Sequence, residues 1–365
     1  MKKHIVIDAR ESGTSTGRYL DKLIENLHEL NPNYKITLLA KRHRVEFLEK
    51  IAPKFAVKTT RFKEFTFGEQ LGLLKQIYSL KPDLVFFPAV QQPILYRGKV
   101  VTTIQDLTTV RFRNPSKNWF VFTFKRWVYI LVNKIVGKKS AHLITPTEFV
   151  KDDFARFAHV NSRKITVTYE SADKISDKPE PVEELINKQF IMYVGRPQPH
   201  KNLDALVEAF GILRQKHPEL RLVFVGKKDI LYHNLQKKVE ALGYKNVIFT
   251  GFASEGQLRW LYENVTAYVF PSLSEGFGLP PLEAMHHGAP IVSSNATCLP
   301  EVNKDGALYF DPTNTEEMAE KIDTVLTNTK IRNSLITKGS HVVKQYSWSR
   351  MASQTLEVFK QALGD

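Results

Sequence analysis

Short apolar runs alternate with helical patterns along this chain. In the first half, His4–Asp8, Lys35–Leu39, Leu84–Phe87, Val100–Ile104 and His142–Thr145 read as strands. Helical patterns fall between them at Tyr19–Leu30, Leu71–Leu80 and Trp119–Val136. A second series begins at Phe190–Val194 and continues through Leu222–Val225, Val247–Phe249, Ala267–Phe270 and Pro290–Ser293. Leu203, Leu206, Val207, Phe210 and Leu213 carry the i, i+3, i+4 spacing of a helix laid on a sheet. Such alternation predicts an α/β fold whose parallel sheets are covered on both faces. Between the two series, Ser171–Gln189 is rich in Lys, Asp, Glu and Pro and poor in large apolar residues, and reads as a linker. The expected organisation is a domain at 1–170, a linker at 171–189, a second domain at 190–345, and a helix at 346–365 packing back on the first domain. Both domains read as doubly wound and Rossmann-like, facing each other across a cleft. Ligands of such sheets bind outside the carboxyl ends of the strands.

Composition supports two cores: the chain has 365 residues, 42% of them hydrophobic and 25% charged. It argues against extensive disorder, a collagen-like repeat and a coiled-coil rod. A single cysteine, Cys298, excludes an internal disulfide framework and a thiolate zinc cluster, and fits a reduced, cytoplasmic setting. The apolar run after Lys2 and Lys3 is stopped by Asp8 and Arg10, too soon for a signal peptide. Net charge is +14, unevenly spread: residues 1–185 hold 32 Lys+Arg against 20 Asp+Glu, and residues 186–365 hold 20 against 18. The first half therefore presents a positive field to anionic membrane, nucleic acid or phosphorylated substrate. Within it, Trp119–Val136 is the most lipid-like stretch, but Lys125, Arg126 and Lys134 interrupt it and argue against a membrane span. Two readings remain: a core helix whose lysine stems reach outward, or an amphipathic helix lying on a membrane surface.

Two strings carry chemistry. In the first, an apolar strand runs into Pro271-Ser272-Leu273-Ser274-Glu275-Gly276-Phe277-Gly278-Leu279-Pro280-Pro281-Leu282-Glu283. Paired prolines suit a first helical turn, and the glycines let backbone N–H groups approach an anion at the helix start. Glu275 and Glu283 flank that site. Repelled by phosphate, they suit hydroxyl donors such as those of a sugar or ribose. The second string, Gly195-Arg196-Pro197-Gln198-Pro199-His200-Lys201-Asn202, again joins a strand to a helix. Arg196 offers a planar fork and Lys201 a compact charge, enough to neutralise a diphosphate without metal.

Gly-Arg-x-x-x-x-Lys-Asn from Gly195 and Glu-Gly-Phe-Gly-Leu-x-x-x-Glu-Ala-Met from Glu275 together resemble the retaining GT-B glycosyltransferases of family 4. The resemblance is dense from Phe190 to Val302 and looser before it. It implies that Arg196 and Lys201 hold the diphosphate of a sugar nucleotide and that Glu283 binds its ribose. It further implies that Glu275, with the backbone of Gly276, Phe277, Gly278 and Leu279, addresses the transferred sugar. Base contacts are expected around Thr250 and Phe252, and no metal or other cofactor is expected. Glu275, Arg196 and Lys201 are the candidate catalytic groups, with Gly195 completing the donor loop.

Two weaker matches lie in the first half. Glu11–Tyr19, with Thr16 and Gly17, resembles the family's first glycine-containing loop, which borders the donor phosphates and the acceptor. Gln105 and Asp106 fall where the family often has His-Asp, and a Gln there hydrogen-bonds without titrating near neutrality. The implied activity is transfer of a sugar from a nucleotide diphosphate, with retention, to a glycan or lipid-linked acceptor in cell-surface polysaccharide or glycolipid synthesis. The implied place is the cytoplasm or the inner face of the membrane. A sugar-nucleotide epimerase of the same fold is the alternative within this architecture. A basic nucleic-acid-binding protein is the alternative outside it, disfavoured because no aromatic–basic RNA motif or zinc-finger spacing is present.

Overall fold

A computed structural model describes residues 2–14, 17–64, 66–112 and 119–365, the side chains of Phe120 and Val121 excepted. The chain divides into two compact units, one holding most of residues 1–170 together with Ser347–Asp365, the other holding Ser171–Tyr346.

The first unit is built on β1 (His4–Asp8), β2 (Lys35–Ala40), β3 (Ala56–Thr59), β4 (Leu84–Phe87), β5 (Val100–Thr103), β6 (His142–Thr145) and β7 (Ile165–Val167). All pair in parallel, in the order β3-β2-β1-β4-β5-β6-β7. Central strands β1, β4 and β5 are buried throughout, as a parallel sheet with both faces covered requires. Helix Gly17–Leu30 buries Tyr19, Leu20, Leu23, Ile24 and Leu27 on one stripe and packs against helix Trp348–Leu363. The latter is capped by the Ser347 side chain and sets Phe359 against Phe86 with ring centroids 5.1 Å apart. Its end is tied by the Lys3–Asp365 ion pair and by Tyr34 Oη donating to Asp365 at 2.8 Å.

The second unit repeats the logic with β8 (Phe190–Val194), β9 (Arg221–Val225), β10 (Val247–Gly251), β11 (Ala267–Phe270), β12 (Ile291–Ser294) and β13 (Ala307–Phe310). These are also parallel, in the order β10-β9-β8-β11-β12-β13. Chain direction across each sheet reverses at its first strand, β1 in one unit and β8 in the other. The crevices beside those two strands are where a doubly wound sheet places its ligands.

Three features differ from the hydrophobic pattern. Strands β3, β7 and β13 escape it because they are short sheet edges with few buried positions. Residues 171–189 are not a free linker but pack as part of the second unit: Leu185 is buried, Glu180 N–H donates to Gly256 O at 3.0 Å, and Arg259 donates to Asp177 O at 2.9 Å. Polar and backbone hydrogen bonds hold this strap, which leaves little apolar signature. Helix Trp119–Lys139 is divided along its length. Asn133, Val136 and Gly137 are buried and Tyr129 and Ile130 pack on the core, whereas Trp119, Phe124, Trp127 and Leu131 are exposed.

Candidate active site

Four loops follow neighbouring strands at the carboxyl edge of the second sheet: 195–202 after β8, 226–229 after β9, 252–254 after β10 and 271–278 after β11. Backbone geometry builds the first and last. Gly195 has φ +143°, and a Cβ there would lie 2.7 Å from the buried Tyr193 hydroxyl. Asn202 takes a left-handed turn at φ +58° and donates to Pro312 O at 2.7 Å, which starts helix Leu203–Lys216 in a fixed direction. Gly278, at φ +86°, caps helix Leu279–His286, whose early prolines leave the N–H groups up to Leu279 as the donors at this end.

The two loops meet at one ion pair. Lys201 Nζ lies 2.6 Å from Glu275 Oε1, with both side chains largely shielded, and 5.7 Å from the centroid of Phe270. Leu273 N–H donates to His200 O at 2.7 Å, locking loop to loop. Glu275 is held from behind: its N–H donates to Thr297 Oγ1 at 3.1 Å, and Cys298 Sγ donates to its carbonyl at 3.3 Å. Burial, reinforced by Glu275, pushes the Tyr193 phenol far up, so it stays protonated. Burial and the neighbouring Lys201 pull His200 down to about 4, leaving a neutral imidazole beside the pair.

Arg196 stands apart from that pair. It is half exposed and pairs with Asp229, whose carboxylate also caps helix Ile230–Ala241 by accepting from Leu231 and Tyr232 N–H. Although burial raises Asp229, hydrogen bonds from Tyr232 and Arg196 outweigh it and hold the carboxyl low. Glu283 sits on the helix after Gly278, 3.5 Å from the Tyr262 hydroxyl. The Phe277 side chain is buried edge-on against Tyr346, so this residue faces a ligand through its backbone only. Thr250 turns its hydroxyl onto Gly251 O, and Phe252 beyond it is 87% exposed. Asp229, Thr297 and the cations Lys227 and Lys228 after β9 were not among the residues singled out from the sequence. The string Gly226-Lys227-Lys228-Asp229 at a strand end was the available signal.

In the first unit, Thr16 lies outside the described residues. Gly17 opens its helix where a Cβ would lie 2.0 Å from Glu11 O, so only glycine fits. Ser12 Oγ and Gly13 N–H both donate to Asp21, folding the loop onto the helix. Gln105 and Asp106 follow β5, and Asp106 Oδ1 accepts from Thr108 N–H at 2.9 Å, capping a short turn of helix. Arg10 was not anticipated: fully buried, it pairs with Asp8 at 2.7 Å and Glu69 at 2.8 Å and donates to Gln91 O at 3.2 Å. Among the described residues, no group of three His, Cys, Asp or Glu could hold a metal ion, and no helix is long and apolar enough to cross a membrane.

Residues 175–342 match the family model for glycosyl transferases group 1. An O-antigen chain mannosyltransferase B of Escherichia coli is 29% identical over 230 residues, 60% of this chain and 60% of that protein. An O-antigen chain mannosyltransferase of Salmonella typhimurium is 33% identical over 180 residues, 49% of each chain. The chain thus spans less than two thirds of the length of these relatives. Among solved structures, sucrose-phosphate synthase from Thermosynechococcus elongatus superposes with a TM-score of 0.79 at 16% identity, covering all of both chains. Anabaena HepE in complex with UDP and glucose superposes at 0.74 and 17% identity, over 99% of this chain and 100% of that one.

Proposed function

Since the chain has the GT-B fold and belongs, through residues 175–342, to the glycosyl transferases of group 1, we propose that it is a retaining, metal-independent sugar transferase. Its donor is a nucleotide diphosphate sugar held by the second unit. Its acceptor is a glycan or lipid-linked glycan held by the first, in the synthesis of a cell-surface polysaccharide. The relatives named as O-antigen mannosyltransferases favour a mannosyl or similar hexosyl group.

The observation that carries this reading is the Lys201–Glu275 pair beside the N–H run Gly276–Leu279 and the helix it opens. A diphosphate entering here exchanges the Glu275 carboxylate for its own oxygens as the partner of Lys201, and draws Arg196 from Asp229. Glu275, released from Lys201, then accepts hydrogen bonds from the donor sugar. Glu283 accepts from the ribose hydroxyls, and exposed Phe252 offers a ring to the base. As the bond from sugar C1 to the phosphate oxygen breaks, negative charge grows on the leaving diphosphate. There it meets two cations and a helix terminus already in position. The acceptor oxygen bonds to C1 from the same face, and its proton passes to the departing phosphate oxygen, so no separate base is required.

The test is direct. Lys201→Ala and Glu283→Ala should each lower transfer at least a hundredfold with an unchanged melting profile, the product should keep the donor's anomeric configuration by NMR, and EDTA should not inhibit. Full activity in either variant removes these residues from the site. Conversion of the donor to an epimer without any acceptor would make the enzyme an epimerase.

A peripheral place at the inner membrane face is supported by helix Trp119–Lys139. Trp119, Phe124, Trp127 and Leu131 are exposed there beside exposed Lys125, Arg126 and Lys138. Vesicles rich in anionic lipid should sediment the protein at low salt, and Phe124→Ser with Trp127→Ser should abolish it. Failure of the unaltered protein to sediment removes the membrane from this account.

A further inference from the structure

A cavity of about 190 Å³ opens at the carboxyl ends of β1, β4 and β5, lined by residues of the first unit alone. It lies beside β1, where chain direction across the sheet reverses, the crevice that such sheets use for ligands. Its polar lining is Glu11 after β1, Gln91 after β4, and Gln105 and Asp106 after β5. Pro88 and Tyr129 add apolar surface.

Three observations define what it can hold. First, two buried amide atoms at this cavity lack a hydrogen-bond partner, Oε1 of Gln91 and Nε2 of Gln105. Buried polar atoms are seldom left so, and here one accepts and the other donates. Second, the lining contains two carboxylates and no Lys, Arg or His, although this half of the chain carries 32 Lys+Arg against 20 Asp+Glu. Third, the walls are built before any ligand arrives. Arg10 ties Asp8, Glu69 and the Gln91 carbonyl together, and Asp106 is fixed by Thr108 N–H.

Carboxylates and a carbonyl oxygen call for donors, and the Gln105 amide calls for an acceptor. Hydroxyl groups meet both demands at once. A phosphate dianion has no proton to give and would sit between two carboxylates. The cavity has several times the roughly 30 Å³ share of one water molecule, room for a small ring, and its apolar surface suits the C–H face of a sugar.

We infer that this cavity is a subsite for an uncharged sugar ring of the acceptor, bound through its hydroxyls by Glu11, Gln91, Gln105 and Asp106, and that it discriminates against phosphorylated sugars. The assignment rests on the transferase reading for the word acceptor, but not for the binding itself. It also redistributes the charge of the first half. An acceptor phosphate or diphosphate, where there is one, is met by cations elsewhere, and the ring inserted here is neutral.

The experiment is ligand-observed NMR on the full chain, with a panel of methyl hexopyranosides and the matching 6-phosphates as probes. UDP and GDP serve as probes of the second unit in the same samples. At least one methyl glycoside should bind, with its 6-phosphate at least tenfold weaker. Glu11→Gln and Gln105→Leu should each weaken the glycoside about tenfold or more, the loss of a hydrogen bond to a buried group, while nucleotide binding stays within twofold. Thr109 lies exposed at the rim, so Thr109→Lys leaves the core untouched and should narrow the discrimination against phosphate at least fivefold. Absence of glycoside binding, or equal or tighter binding of the 6-phosphates, overturns the inference. Loss of nucleotide binding alone would instead count against the donor site.

Discussion

At the scale of single residues, two buried titratable groups pull stability in opposite directions with pH. His200 is held down to about 4 by burial and Lys201, against an ordinary 6.5. Between those values the unfolded chain binds a proton that the folded chain does not. Stability from this group is therefore complete above pH 6.5 and lost as pH falls towards 4. Glu170, in the first unit, is raised by burial from 4.5 to about 7, with Arg18 opposing. Here the folded chain keeps a proton that the unfolded chain releases, so its contribution is complete below pH 4.5 and lost as pH rises through 7. Urea unfolding across pH should show His200→Gln flattening the acid limb. Glu170→Gln should abolish the decline towards neutrality and raise stability at pH 8. Neither environment was visible in the sequence, because burial of a polar side chain comes from the loops that cover it. The same holds for Arg196. Its position at a strand end was legible, but its pairing with Asp229, 33 positions on, depends on β8 and β9 lying side by side.

At the scale of elements, the two glycine turns differ in why they need glycine, and the difference is testable. Gly278 has a positive φ, and a Cβ would also lie 2.8 Å from Leu299 Cδ2. Gly278→Ala should therefore cost about 1–3 kcal/mol of stability and weaken nucleotide binding, since strain falls on the loop that carries Glu275. Gly17 is not left-handed. Its substitution forces a Cβ onto the Glu11 carbonyl at 2.0 Å, and only movement of that loop relieves it. Gly17→Ala should thus raise the KM for acceptor and leave the donor KM unchanged, and steady-state kinetics separates the two. These turns were legible because strand, glycine and helix follow one another within a dozen residues. What stayed hidden were the elements without a core face. β3 has no fully buried position, β7 and β13 are brief edges, and the strap at 171–189 is held by hydrogen bonds that leave no periodicity.

At the scale of the whole molecule, chain order and unit membership do not coincide. The last segment, Ser347–Asp365, belongs with the first unit and not with the sheet that precedes it. Its helix covers β4 and β5 with a stripe that includes Met351, Val358 and Phe359, each 1% exposed or less. Removing it would return the Phe86 face of the central sheet to water, and large buried apolar side chains are worth about 2–5 kcal/mol each on truncation. The second unit has its own sheet and loses no internal contact. A chain ending at Tyr346 is therefore expected to lose hydrogen-exchange protection across β1, β4 and β5 while retaining it across β8 and β11. It should still bind UDP or GDP with an affinity within about threefold of the intact protein, and sugar transfer should disappear because the acceptor cavity stands on the exposed strands. Equal loss of protection in both sheets would mean that the units fold as one cooperative body, with the final helix supporting both. Unchanged protection in the first sheet would mean that the helix is a dispensable cover.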